Sequence, residues 1–197
     1  HDLEIRGAGE ILGESQSGQI NEVGFSLYME LLENAVAALQ SGQEINLDIP
    51  LHHGPEIDLG ISALIPESYV GDINIRLTLY KRLSSCNSES ALHEFQVELI
   101  DRFGLLPVQL QHLIEITHLK LRANQLGITK IVMAEESGRL ELAERPKINI
   151  DKLIELVQTK PTQYRLEGKQ RVRFFLKKTD EQYKIEFIKN LLLVLIP

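Results

Sequence analysis

Three amphipathic stretches follow one another closely between Asp72 and Gly127, each bounded by residues that start or stop a helix. Asp72 has the side chain of an N-cap, and Ile73, Leu77, Tyr80 and Leu83 recur behind it at helical spacing, which predicts one inward face. Ser88 with Glu89 opens the second stretch. Its stripe is Leu92, Phe95, Leu99 and Phe103, and Gly104 is the stop. Pro107 opens the third, which runs to Leu126 before Gly127. Consecutive helices with such short connections have to bury their stripes against each other or against a common partner, so a helical layer is predicted.

The surrounding residues switch period. Glu56 to Leu64 alternates, with Ile57, Leu59 and Ile61 apolar, and reads as a strand ended by Pro66. Ile128 to Ala134, the turn Glu135–Gly138 and Arg139 to Ala143 form a hairpin in which Leu140 and Leu142 face one way and Arg139 and Glu141 the other. Asn149 or Asp151 caps a short helix through Lys160. Gln163 to Leu166, Glu167-Gly168-Lys169 and Arg171 to Leu176 give a second hairpin, with Val172, Phe174 and Leu176 on one face. Residues 180 to 196 read as a closing amphipathic helix. Upstream, Phe25, Tyr28, Met29, Leu32, Val36 and Leu39 stripe a helix over 24–41 with Gly42 as its stop. Pro50, Gly54, Pro55 and a His52-His53 pair then mark a linker. The expected fold class is α+β: a helical layer packed on a small, mostly antiparallel sheet, preceded by a glycine-rich loop and one amphipathic helix. The expected domains are residues 1–42, a linker over 43–55, and an α+β domain over 56–197.

Charge is uneven. Residues 1–100 hold sixteen acidic and four basic side chains, and residues 101–197 hold twelve and seventeen. An acidic first half is a poor surface for a phosphate backbone, and the basic residues of the second half alternate with acidic ones as on a solvated face. Such asymmetry suits a protein partner or another domain of the same protein. Cys86 is the single cysteine, which points to a reducing cytoplasm, and no apolar run reaches the length of a membrane span.

Signatures of chemistry are missing. The sequence holds no Gly-x-x-x-x-Gly-Lys-Ser/Thr loop, no nucleophile elbow and no spaced cysteine set for zinc. His52-His53 stands without further ligands. His112, Glu115 and His118 share one predicted helix, but steps of three residues splay the outer histidines by about 120°, whereas zinc pairs favour the i, i+4 spacing. Glu135-Glu136 falls in a turn, where solvation accounts for both carboxylates. No catalytic and no metal-binding residue is expected, and the chain by itself is not expected to be an enzyme.

The first eighteen residues carry four glycines, Gly7, Gly9, Gly13 and Gly18, and glycine at that density means tight turns. Arg6, the only Lys or Arg among the first fifty residues, can offer a planar five-donor fork, and Gln16 and Gln19 add neutral donors and acceptors. A dinucleotide-binding loop would need a strand before and a helix behind it, and Glu4, Glu10 and Glu14 would repel phosphate. Asp2-Leu-Glu-Ile-Arg-Gly-Ala-Gly-Glu-Ile-Leu-Gly13, followed by Gln16-Ser-Gly18, resembles the translocation motif shared by the RecG helicases and the bacterial transcription-repair coupling factors. Val23-Gly-Phe-Ser-Leu-Tyr-Met-Glu-Leu-Leu-Glu33 and Glu98-Leu-Ile-Asp-Arg-Phe-Gly-Leu-Leu-Pro107 resemble the coupling factors specifically.

The resemblance covers essentially the whole chain and implies the C-terminal part of a much larger cytoplasmic protein, an ATP-dependent double-stranded DNA translocase acting in nucleotide excision repair. Arg6 then matches the motif's coupling arginine and Gln16 its partner glutamine, with Gly7, Gly9, Gly13 and Gly18 shaping the loop. Residues 1–42 would be the tail of the motor, and ATP and magnesium would belong to motor domains outside this chain, with no cofactor within it. Residues 56–197 would be a regulatory, autoinhibitory domain. Its implied partner is an N-terminal module of the same protein that is similar to the repair protein UvrB. UvrA, stalled RNA polymerase and duplex DNA would be partners of the whole protein. The alternative is a direct nucleic-acid-binding module of a RecG-like helicase using Arg139, Arg165, Lys169, Arg171 and Arg173.

Overall fold

The structure is a computed structural model that describes residues 54–197. The glycine-rich loop, the helix expected over 24–41, the His52-His53 pair and most of the linker lie outside the described residues. Two compact units make up the described chain: Ser62–Thr117, and Gly54–Ile61 together with His118–Pro197.

The first unit is helical. Helix α1 (Ile73–Ser84) starts where Asp72 accepts hydrogen bonds from the backbone N–H groups of Asn74 and Ile75 at 2.8 and 3.1 Å. Its buried face differs from the expected one. Tyr80 and Leu83 are buried as predicted, but the turn before them is occupied by Arg76 and Leu79, while Ile73 and Leu77 are half-buried. Arg76 tolerates burial because its Nη1 donates to the carbonyls of Val70 and Gly71 at 2.8 and 3.3 Å. Helix α2 (Glu89–Phe103) is capped by Ser88, which accepts from Ala91 N–H, and buries Leu92, Phe95 and Leu99 of the predicted stripe, while Phe103 at its end is half-buried. It ends at Gly104, whose φ of 93° lies in the left-handed region that glycine enters without strain. Tyr69 fastens that end, its hydroxyl donating to the Gly104 carbonyl at 2.6 Å with the Leu99 carbonyl 3.1 Å away. Helix α3 (Val108–Leu126) is buried on nearly every side, with Leu110, Leu113, Ile116, Leu119, Ala123 and Leu126 all at 4% exposure or less. Its residues through Thr117 belong to the first unit and the rest to the second.

The second unit is built on a five-stranded sheet: β1 (Glu56–Asp58), β2 (Ile128–Met133), β3 (Ser137–Leu142), β4 (Tyr164–Glu167) and β5 (Arg171–Phe175). The strand order is β1-β2-β3-β5-β4. The β1–β2 pair is parallel, with Ile57 beside Ile131, and every other pair is antiparallel. The strand expected over Glu56–Leu64 stops at Asp58. The Asp58 carboxylate accepts from Gly60 N–H at 3.0 Å, and Gly60 has φ 63°, so the chain turns out of the ladder there. Alternate burial nevertheless continues through Leu59, Ile61, Ala63 and Ile65, because both units take apolar side chains from this segment.

Both predicted hairpins form. In the first, strand β3 begins earlier than expected: Ser137 and Gly138 are in the strand, opposite Phe175 and Phe174, and the turn is confined to Ala134–Glu136. In the second, Val172 and Phe174 are buried, but Leu176 falls beyond the end of β5 and is half-buried. Helix α4 (Ile150–Thr159) is capped by Asn149, which resolves the choice between Asn149 and Asp151. Helix α5 (Glu181–Val194), capped by Asp180, lays Ile185, Phe187, Ile188, Leu191 and Leu192 into the core. Its Phe187 ring lies 5.2 Å from that of Phe174 in β5. The α+β class holds, and within the second unit the sheet packs against α5.

Candidate functional site

Because the motif residues Arg6, Gly7, Gly9, Gly13, Gln16 and Gly18 lie outside the described residues, the candidate sites of the structure are those of residues 54–197. Among them no group of three or more His, Cys, Asp or Glu side chains is placed to hold a metal ion. On α3, His112 is buried with its Nδ1 2.9 Å from the Ser62 carbonyl, to which it donates; His118 is half-buried one and two-thirds turns further on. The histidine thus serves packing within the first unit. Glu135 and Glu136 are exposed in the turn between β2 and β3, as expected.

Two surfaces concentrate functional groups. The first is an open cleft of about 500 Å³ between α1 and α2, lined among others by Thr78, Lys81, Arg82, Cys86, Phe95 and Glu98. Arg82 and Glu98 face each other as a two-bonded fork, Nη1 donating to Oε1 at 2.9 Å and Nη2 to Oε2. The guanidinium also lies 5.4 Å from the centroid of Phe95. Arg102, one turn on, lies 3.4 Å from the same carboxylate. The bond to Arg82, with the charge of Arg82 and the Arg102 contact behind it, holds the Glu98 carboxyl below the usual carboxylate range. Burial pushes the Cys86 thiol up, which disfavours the nucleophilic thiolate. This cleft pairs a fixed ion pair with an aromatic floor. The sequence signalled it only through the i, i+4 spacing of Glu98 and Arg102.

The second surface is the face of the sheet opposite Leu140, Val172 and Phe174. The register sets Val132, Arg139, Arg173 and Arg165 side by side across β2, β3, β5 and β4. The neighbouring row reads Glu56, Lys130, Glu141, Arg171, Glu167, with alternating charge. Glu141 serves both Arg139 and Arg171, at 3.3 and 3.2 Å, and Glu167 accepts from Arg173 Nε at 2.7 Å. Arg165 has no carboxylate partner among the described residues; its guanidinium lies 5.7 Å from the centroid of the Phe175 ring. Arg139, Arg165, Arg171 and Arg173 were therefore brought to one face by strand register, with Lys169 in the turn that joins β4 to β5.

A mixed five-stranded sheet with α5 behind it, joined in sequence to a helical unit, defines an α+β domain. A family model described as the TRCF domain matches residues 59–153. The transcription-repair-coupling factor of Haemophilus influenzae is 45% identical over 192 residues, which is 98% of this chain and 17% of that protein. That of Escherichia coli is 46% identical over 190 residues, 96% of this chain and again 17% of the relative. The chain belongs to the transcription-repair-coupling factor family, and it spans about a sixth of the length of these relatives. A solved structure titled as the C-terminal domain of transcription-repair coupling factor superposes with a TM-score of 0.60 at 18% identity. It covers 71% of this chain and 92% of that one, a likeness of fold. No helix among the described residues is long and apolar enough to cross a membrane.

Proposed function

We propose that residues 56–197 are the C-terminal regulatory domain of a cytoplasmic, ATP-dependent double-stranded DNA translocase that couples transcription to nucleotide excision repair. The observation that carries this reading is the identity of 45% to a protein named transcription-repair-coupling factor across 98% of the chain. ATP and magnesium belong to motor domains outside this chain, and the motif around Arg6 and Gln16 passes the motor's state to movement along DNA. The regulatory domain docks on a UvrB-like N-terminal module of the same protein. In the docked state the UvrA-recruiting surface is hidden and the motor is restrained until RNA polymerase is engaged.

Physically, this needs two states and a modest bias. A docked population of 99 to 1 corresponds to only about 2.7 kcal/mol, within reach of a small polar interface between domains. Surfaces of mixed charge suit such a reversible contact, because they set encounter and register more than tightness. Glu141 and Glu167, set among the arginines of the sheet, weigh against the alternative of a nucleic-acid-binding module.

Deleting residues 50–197 from the intact protein tests the proposal. UvrA binding is measured by titration, and ATPase is measured without polymerase. Both are expected to rise. A truncated protein that binds UvrA no better and whose motor stays quiet would show that the domain does not restrain it.

A further inference from the structure

The arginine row on the sheet is unfavourable for the fold that displays it. Like charges directly opposite each other on adjacent strands destabilise a sheet, yet Arg173 has Arg139 on one side and Arg165 on the other. The next row alternates in sign and lends its Glu141 to Arg139 and its Glu167 to Arg173, leaving Arg165 without a carboxylate among the described residues. Three of the four arginines on this face share two carboxylates, Glu141 and Glu167. The side chains of Arg139, Arg171 and Arg173 are 38 to 47% exposed, although Arg171 Nη2 and Arg173 Nε are already bonded to Glu141 and Glu167 and Arg139 Nε is buried. Half-buried Val132 separates the arginines from Asp58 of β1 at one side, and Phe175 lies under Arg165 at the other. Arginine beside aromatic and aliphatic side chains is the composition of interface centres.

We infer that this face docks an acidic, extended segment of a protein partner, whose carboxylates pair with Arg139, Arg173 and Arg165. Neighbouring strands are about 4.8 Å apart, so the three arginines span about 10 Å, and same-side residues of an extended segment repeat about every 6.8 Å. Two carboxylates at i and i+2 therefore fall within reach of the row. Each guanidinium fork accepts a carboxylate through two parallel hydrogen bonds. A polyphosphate backbone fits less well. Its charge repeats without neutral gaps, and a second line of phosphates would meet Glu141 and Glu167. A protein segment can set neutral or basic residues there. The inference goes beyond the proposed regulatory function and does not depend on it.

The test uses the whole chain and a fluorescein-labelled peptide of about twelve residues alternating glutamate and threonine, read by anisotropy at about 50 mM salt, where screening is weak. Saturable binding is expected. It should weaken at least about tenfold in the double variant Arg165→Gln/Arg173→Gln, and as much when glutamine replaces glutamate in the peptide. A duplex of about twenty base pairs should compete poorly. Thermal melting checks that the double variant is folded. Arg165→Gln alone, which removes a side chain without a carboxylate partner among the described residues, is the second variant and should lose about two- to fivefold. Absence of saturable binding to the chain, or equal binding by folded Arg165→Gln, overturns the inference. So does a duplex that displaces the peptide and itself loses affinity in these variants, because the face would then belong to nucleic acid.

Discussion

Single side chains settle several local questions. Tyr80 is 3% exposed, and its hydroxyl accepts from Ile65 N–H at 2.8 Å. Burial pushes its pKa up to about 12 from an ordinary 10.0. Between those values the folded phenol keeps a proton that the unfolded one has lost, so stability is level below pH 10 and falls as pH rises towards 12. Tyr80→Phe should flatten this alkaline decline in urea titrations at stepped pH. It should also cost about 1–3 kcal/mol at neutral pH, because Ile65 N–H is left buried without its partner. Gly138 illustrates close approach instead of backbone freedom. A methyl group there would lie 2.5 Å from the Phe174 ring and 2.7 Å from the Val132 carbonyl. Gly138→Ala is expected to lower stability by about 1–3 kcal/mol, read from thermal melting, as an overpacked core does. Lys184 is buried on α5 with its ammonium donating to the Leu59 carbonyl at 3.4 Å, close to Asp58, whose pKa burial raises. The helix is thereby tied to the segment that leaves β1.

At the scale of elements, the helix ends are chemically explicit. Asp72, Ser88, Asn149 and Asp180 each accept from a backbone N–H of the first turn behind them. Asp72→Ala should cost about 1 kcal/mol, measured as a shift in urea midpoint at constant slope, because two orphan N–H groups lose their acceptor. Helix α3 shows where element-level pattern is insufficient: its weak amphipathicity reflects burial on almost every side, with His112 and Thr117 accommodated by hydrogen bonds to the Ser62 and Leu113 carbonyls. Strand β1 shows the opposite case. Its apolar alternation outlasts its pairing, so the pattern reports burial and not ladder length.

At the scale of the molecule, the motif preceding the described residues and the domain that follows have separate expected roles. In the intact protein, Arg6→Ala should impair movement along DNA while changing stability by no more than about 0.5 kcal/mol, as for a surface-like substitution. Melting and strand-displacement activity measured side by side check this, and undiminished displacement would remove Arg6 from the coupling role. The chain on its own should turn over no ATP with or without duplex DNA, since its sequence lacks a P-loop, and a phosphate-release assay decides it.

Helix starts and stops, both hairpins and the α+β class were legible in the sequence because their signals are local. A cap acts within three residues, a glycine stop at one position and a hairpin across one short turn. The family was legible too, through motifs continuous in the chain. Tertiary structure alone decided the parallel placement of Ile57 beside Ile131, with three helices between them in the chain. It alone brought Arg139, Arg173 and Arg165 into one row, paired Arg82 with Glu98, and buried Arg76 and Lys184. These outcomes depend on strand register and on partners far away in sequence. A periodicity of two or of 3.6 residues tells which face a side chain takes, but not what stands opposite it.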